Sequence, residues 1–182
     1  MRSVGEAMAI GRTFKEALQK ALRSLETGAT GLVDPGESLD INELARRLVT
    51  AGPERVFFLK RAIQIGLDVG EIHRLTGIDP WFLDNLQQIV EFEKDLRRRA
   101  EAGGDLAQTL PAEILFDAKR CGFSDAQLAE LADTDEEAVR QWRTQCGLLP
   151  SYKCVDTCAA EFEAFTPYYY STYEPEDESF DG

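Results

Sequence analysis

With 182 residues, 43% of them hydrophobic and 29% charged, the chain has the make-up of a globular protein that can bury a core. No apolar run approaches the roughly 18 to 20 residues of a membrane-spanning helix. Its net charge of −13 lies mostly at one end: eight acids and no Lys or Arg fall between Val155 and Gly182, so the first 154 residues carry only −5. An acidic chain repels phosphate backbones, which argues against nucleic acid as a partner. Four cysteines and one histidine make neither a dense disulfide framework nor a zinc pattern, and no secretory h-region is present, so the default setting is a reducing cytoplasm.

The opening MRSVGEAMAIGR has no sustained period and predicts an irregular or extended approach to the first helix. That helix starts at Thr13, where Thr13 and Glu16 have capping-box spacing and Phe14, Leu18, Leu22 and Leu25 share a stripe, and it ends near Glu26. The Gly- and Pro-containing TGATGLVDPGES is an irregular connection. A second helix begins near Asp40, with Glu43 three residues on and Ile41, Leu44 and Leu48 on one side. Gly52 ends it, and Pro53 opens a third helix that packs Val56, Phe57, Leu59 or Ile63 and stops at Gly66.

From Gly66 to Leu96 the chain reads as a helical hairpin, and a slide of 56 positions finds a degraded copy of its first half. Gly66-Leu67-Asp68 falls on Gly122-Phe123-Ser124, Ile72 on Leu128, Leu75 on Leu131, Asp79 on Asp135 and Leu83 on Val139. Each copy opens with a glycine that can close the preceding helix and an Asp or Ser that can cap the next. Asp79 and Asp135 are placed to cap the second helices, with Pro80 at N1, where a missing N–H costs nothing. The long helix of the first copy runs from Pro80 to about Ala102 and buries Phe82, Leu86, Ile89, Val90 and Leu96. Another helix spans Pro111 to Gly122, and the second copy fills 124–146. After Leu148, TPYYYSTY predicts extended chain, and EPEDESFDG, with five acids in nine residues, predicts a segment disordered in isolation.

The expected fold is therefore all-α: a bundle of about seven helices containing two related hairpins, with extended terminal segments. Its packing residues are expected to be Phe14, Leu18, Ile72, Leu75, Trp81, Phe82, Leu86, Leu128, Leu131 and Trp142.

The short helix, turn and longer helix at 68–90 look like a DNA-binding helix-turn-helix. A recognition helix needs Arg, Lys, Gln or Asn at its start, whereas the two copies carry Asp79, Pro80 and Asp84, and Asp135, Glu136 and Glu137. Paired hairpins building a core are the better reading, with an acidic helix-turn-helix-like regulatory or partner-binding module as the alternative. His73 has no second histidine and reads as a surface residue. Cys154 and Cys158 are four apart, but Cys121 and Cys146 supply no matching pair. Lys94, Arg97, Arg98 and Arg99 read as a solvated helix end, and Trp81 and Trp142 as core or partner-facing aromatics. No Walker-type loop and no nucleophile–base pair is present, so no catalytic, cofactor-binding or metal residue is assigned.

The strings SVGEAMAIGRT from Ser3, KEALQKAL from Lys15, IDPWFL from Ile78, GFSDAQLA from Gly122, YKCVDTCAAEF from Tyr152 and YSTY from Tyr170 together resemble the large subunit of carbamoyl-phosphate synthetase over nearly the whole chain. In that family two ATP-grasp synthetase halves, one making carboxyphosphate and the other carbamoyl phosphate, flank a helical oligomerisation domain. The resemblance implies that residues 1–20 end the first half, 21–154 form the oligomerisation domain, and 155–182 lead into the second half with an acidic tail. It implies a parent ligase that uses bicarbonate, ATP and glutamine-derived ammonia for arginine and pyrimidine synthesis in the cytoplasm. ATP and magnesium would be held by the ATP-grasp halves, whose ligands match no position here. The partners implied are those flanking halves, a glutaminase small subunit and further copies of the chain, with no nucleic acid or membrane. The aromatic YYYSTY run would expose apolar rings unless another domain covered it.

Overall fold

A computed structural model describes residues 6–36, 39–155 and 168–179. Over them the chain forms α1 (Phe14–Ser24), α2 (Ile41–Val49), α3 (Arg55–Gln64), α4 (Val69–Thr76), α5 (Pro80–Glu101), α6 (Leu106–Thr109), α7 (Ala112–Arg120), α8 (Asp125–Leu131), α9 (Glu136–Gln145), β1 (Ser151–Val155) and β2 (Tyr168–Thr172). The fold is the expected helical bundle with one small strand pair. The helix count exceeds the sequence-based seven partly because α6 is a single turn, too short to show an apolar period.

Side-chain caps mark most of the helix starts, those of α3 and α7 excepted. Asp40 accepts from the amides of Asn42 and Glu43, Ser124 from Gln127, and Asp135 from Ala138. Asp68 and Glu71 close a full capping box, and Asp79 accepts from the Trp81 amide with Pro80 at the first position of α5. Each such side chain satisfies a first-turn N–H that has no partner within the helix. At Thr13 only half the expected box forms: its hydroxyl accepts from the Glu16 amide, but the Glu16 carboxylate reaches one residue further back, to the Arg12 amide at 2.7 Å.

The 22-residue α5 is the axis of the bundle and packs against α1, α3, α4, α6 and α8. Leu83, Leu86, Ile89 and Leu96 along it join Leu48, Phe58, Ala62, Ile72, Leu115, Phe123, Leu128, Leu131 and Val139 in one continuous core. Of the expected packing residues, Ile72, Leu86, Leu128 and Leu131 are buried, and Phe14, Leu18, Leu75 and Trp142 are partly buried.

Trp81 and Phe82 do not belong to the core. They are 55% and 42% exposed, because they lie off the core-facing stripe of α5, which begins at the next residue with the fully buried Leu83. There they form an edge-to-face cluster with each other and with Phe14, with ring centroids 5.0 to 5.3 Å apart. Leu25 likewise lies outside, and α1 instead buries Glu16 and Gln19 beside Leu22. A second buried charge was also hidden in the pattern: Lys60 of α3 donates to the Leu32 carbonyl and to Glu93 of α5, closing the loop after α1 onto the bundle.

β1 and β2 pair antiparallel, with Ser151 opposite Thr172 and Val155 opposite Tyr168. The acidic segment expected to be disordered in isolation is placed, over its described residues, along β1. The Glu178 amide donates to the Tyr152 carbonyl, the Cys154 amide donates to the Glu178 carboxylate, and the Lys153 ammonium lies 3.4 Å from Glu176 and 3.2 Å from Glu178. The reason is local neutralisation by Lys153, which net charge does not reveal. Cys158 lies outside the described residues.

Candidate interdomain junction

The N-terminal segment and the C-terminal strands meet on α1. The Lys20 ammonium donates to the Ile10 carbonyl at 3.0 Å and to the Ser171 carbonyl, and it pairs with Glu16 at 2.8 Å. Thr172 donates to Glu16 at 3.4 Å, and Arg12 lies 3.3 Å from Glu174. Tyr170 and Glu174 hold the Arg12 guanidinium above its ordinary pKa. One helix thus fastens the entering and the leaving chain side by side through a face that is polar.

The other side of that face rests on the turn between α7 and α8. Gln19 donates to the Cys121 carbonyl at 3.1 Å and accepts from the Leu32 amide, and Arg23 donates to the Gly122 carbonyl at 2.8 Å. Gly122 has a φ of +88°, and a Cβ there would stand 2.8 Å from the Glu16 Cα, so only glycine allows this approach.

Beneath it, Asp125 binds Lys119 at 2.7 Å and Arg143 at 3.1 Å, and the Tyr173 ring receives both cations at 5.2 and 5.8 Å. Burial would raise the Asp125 pKa, but the two cations hold it below the ordinary carboxylate range. Burial pushes the Lys119 ammonium down, helped by Arg143 and Arg23 and opposed by Asp125, and pushes the Tyr173 phenol up. A cavity of about 180 Å³ lies between Glu16, Lys20, Arg23, Lys119 and Tyr173. Lys119, Asp125 and Arg143 have no periodic spacing, and only the charged character of a stretch that otherwise reads as core hints at them.

The other motifs keep their plain roles. His73 is exposed, with its Nδ1 2.7 Å from the Ile78 carbonyl oxygen. Arg97 pairs with Glu93, and Arg98 and Arg99 pair with Asp95, along α5 itself. Cys121 and Cys146 are free thiols whose pKa is raised, first by burial, and Cys154 is free and exposed. Among the described residues no group of three or more His, Cys, Asp or Glu could hold a metal ion, and no helix is long and apolar enough to cross a membrane. The indole of Trp142 donates to the Leu110 carbonyl at 2.8 Å.

Residues 6–147 match the family model of the carbamoyl-phosphate synthetase large chain, oligomerisation domain. The chain belongs to this family. It is 53% identical over 180 residues to the carbamoyl phosphate synthase large chain of a Nostoc species, covering 98% of this chain and 16% of that protein. The large chain of Archaeoglobus fulgidus is 52% identical over 181 residues, covering 98% and 17%. The large chain, N-terminal section, of Methanopyrus kandleri is 48% identical over 187 residues, covering 98% and 33%. The chain thus spans about one sixth of the full large chains that it matches. The family model ends at residue 147, while the similarity to the large chains runs on through the strand pair, so β1 and β2 are large-chain sequence beyond the oligomerisation-domain model.

Proposed function

We propose that this chain is a non-catalytic connector within the large chain of a glutamine-dependent carbamoyl-phosphate synthetase, holding two ATP-grasp halves in a fixed relation. The observation that carries the reading is the fastening of residues 10–12 and 171–174 to one another across α1. In this reading residues 1–20 end the first half, 21–154 form the oligomerisation domain and 155–182 lead into the second half, with α1 spanning the first boundary. ATP and magnesium would be held by the halves, in the cytoplasm, with the glutaminase small subunit as a partner and self-association through the helical domain. No observation favours an acidic helix-turn-helix module, since Asp79, Asp84, Asp135, Glu136 and Glu137 are all exposed at the helix starts that would have to face phosphates.

The test has two arms. Calorimetric titration of the 182-residue chain with magnesium-ATP should give no binding heat, and saturable binding would overturn the non-catalytic assignment. In the full large chain, Lys20→Met should leave bicarbonate-dependent ATP hydrolysis intact and lower carbamoyl phosphate formation. Unchanged synthesis would show that the fastening across α1 does not couple the halves.

A further inference from the structure

The 56-residue repeat is larger in the structure than in the sequence, because it includes the helix before each hairpin. Leu59 and Ala62 of α3 correspond to Leu115 and Ala118 of α7, all buried. The turns that follow are the same. Gly66 donates to the Ile63 carbonyl and Leu67 to Ala62, as Gly122 donates to Lys119 and Phe123 to Ala118, with both glycines at positive φ. The units α3–α4–α5 and α7–α8–α9 are therefore two copies of one three-helix module.

The modules differ in what lies on that turn. On the second, α1 rests against Gly122 and supplies Gln19 and Arg23, four residues apart, as donors to the Cys121 and Gly122 carbonyls. On the first, a Cβ at Gly66 would meet no atom of the described residues within 4 Å beyond its chain neighbours, and the Ile65 and Gly66 carbonyls accept no hydrogen bond from the described residues. What remains there is an open groove of about 810 Å³ lined by Ile63, Gly66, Leu67, Val69, Gln87 and Val90. The first five are the counterparts of Lys119, Gly122, Phe123, Asp125 and Arg143 at the turn on which α1 sits. The groove is thus the first module's version of the α1 seat, without its helix.

We propose that this groove is the docking seat for a helix from another part of the large chain, laid over Gly66 as α1 is laid over Gly122. The occupied seat gives the occupant its chemistry. Two donors four apart on the crossing face would reach the Ile65 and Gly66 carbonyls. Where the second module offers α1 an ionic floor, Ile63 and Val69 replace Lys119 and Asp125, so the incoming helix carries an apolar residue at its centre. The groove is lined by Asp34, Asp68, Asp84, Glu91 and Glu93 against Arg61, Lys94 and Arg97, with Lys60 also on Glu93, so its charge is slightly acidic and favours a basic flank on the occupant. Five sixths of a large chain lies beyond the stretch matched here, and that is the source of such a helix.

The test uses the full large chain with a photo-crosslinking phenylalanine analogue in place of Gln87, and the same analogue at the exposed Arg140 as control. Ultraviolet irradiation should give an intrachain crosslink from position 87, mapped by mass spectrometry to a helical peptide outside these 182 residues. The paired reversal Asp84→Arg, Glu91→Arg should abolish it. Amide exchange over residues 63–69 should also be slower by about tenfold in the full large chain than in the 182-residue chain. A crosslink that joins two copies of the chain, or no crosslink at all with exchange unchanged, would overturn the proposal. These readouts measure contact, so their failure is separate from a failure of the connector reading, which is measured by catalysis.

Discussion

In the first module the turn glycine Gly66 faces open space, while in the second its counterpart Gly122 lies under the backbone of α1. Within each module the inward positions agree closely: Ile72 and Leu128, like Leu83 and Val139, are fully buried. The outward positions do not agree, and Ile63, Val69 and Gln87 in one become the Lys119–Asp125–Arg143 cluster in the other. The difference teaches that capping and turn chemistry build the unit, whereas its outer face is shaped by what covers it. An ion cluster is tolerated in the second module because Tyr173 and α1 seal it and each charge has a partner.

The strongest way to break that comparison is to disturb the sealed cluster. Asp125→Asn leaves Lys119 and Arg143 buried without a counter-charge and should destabilise by about 3–5 kcal/mol in a denaturant melt. Giving the second module the first module's residues, Lys119→Ile with Asp125→Val and Arg143→Gln, removes the charges together and should cost less than Asp125→Asn alone; a larger loss for the triple variant would show that the cluster is net stabilising. Asp125 is held below the ordinary carboxylate range when folded. Its contribution is therefore complete above the unfolded aspartate pKa of about 4 and fades as the pH falls further. Acid titration of stability should show a slope below that point which Asp125→Asn flattens.

A second contrast lies within the first module. Leu86→Ala, on the inward face of α5, should cost about 2–5 kcal/mol. Trp81→Ala, one and a half turns earlier and exposed, should lose only the ring contacts to Phe14 and Phe82, about 1 kcal/mol. Equal losses would mean that the aromatic cluster is part of the core after all.

The smallest effects test the hairpin turns, where Gly77 and its counterpart Asp133 both take left-handed backbone, with φ of +69° and +52°. Gly77→Ala should destabilise by about 1 kcal/mol, and Asp133→Gly should gain a few tenths or change nothing, because Asp tolerates this conformation better than most residues. A clear loss on Asp133→Gly would show that the second turn is held by more than its backbone.

Much of this was legible beforehand, for identifiable reasons. The caps at Asp40, Asp68, Asp79, Ser124 and Asp135 act on amides two or three residues away, so the sequence near each site states the whole interaction. The hairpin repeat was readable because its inward positions are constrained to stay apolar. The junction was not. Glu16 and Gln19 look like solvent-facing residues of an amphipathic helix, and they are buried because α1 lies on a turn about 100 positions away whose carbonyls need donors. Trp81 and Phe82 show the converse error, since hydrophobicity alone does not say which side of a helix's first turn faces the core.

By itself the sequence determined the longer helices, most of their caps, the duplicated hairpin and the membership of a synthetase large-chain family, all of which rest on interactions within a few residues or on long matching strings. The tertiary structure alone decided which charges are buried, how the two ends of the chain come to lie together on α1, and that one copy of the module is covered while the other is left open. Those outcomes depend on which surfaces meet, and a pairing between residues dozens of positions apart leaves no periodic trace along the chain.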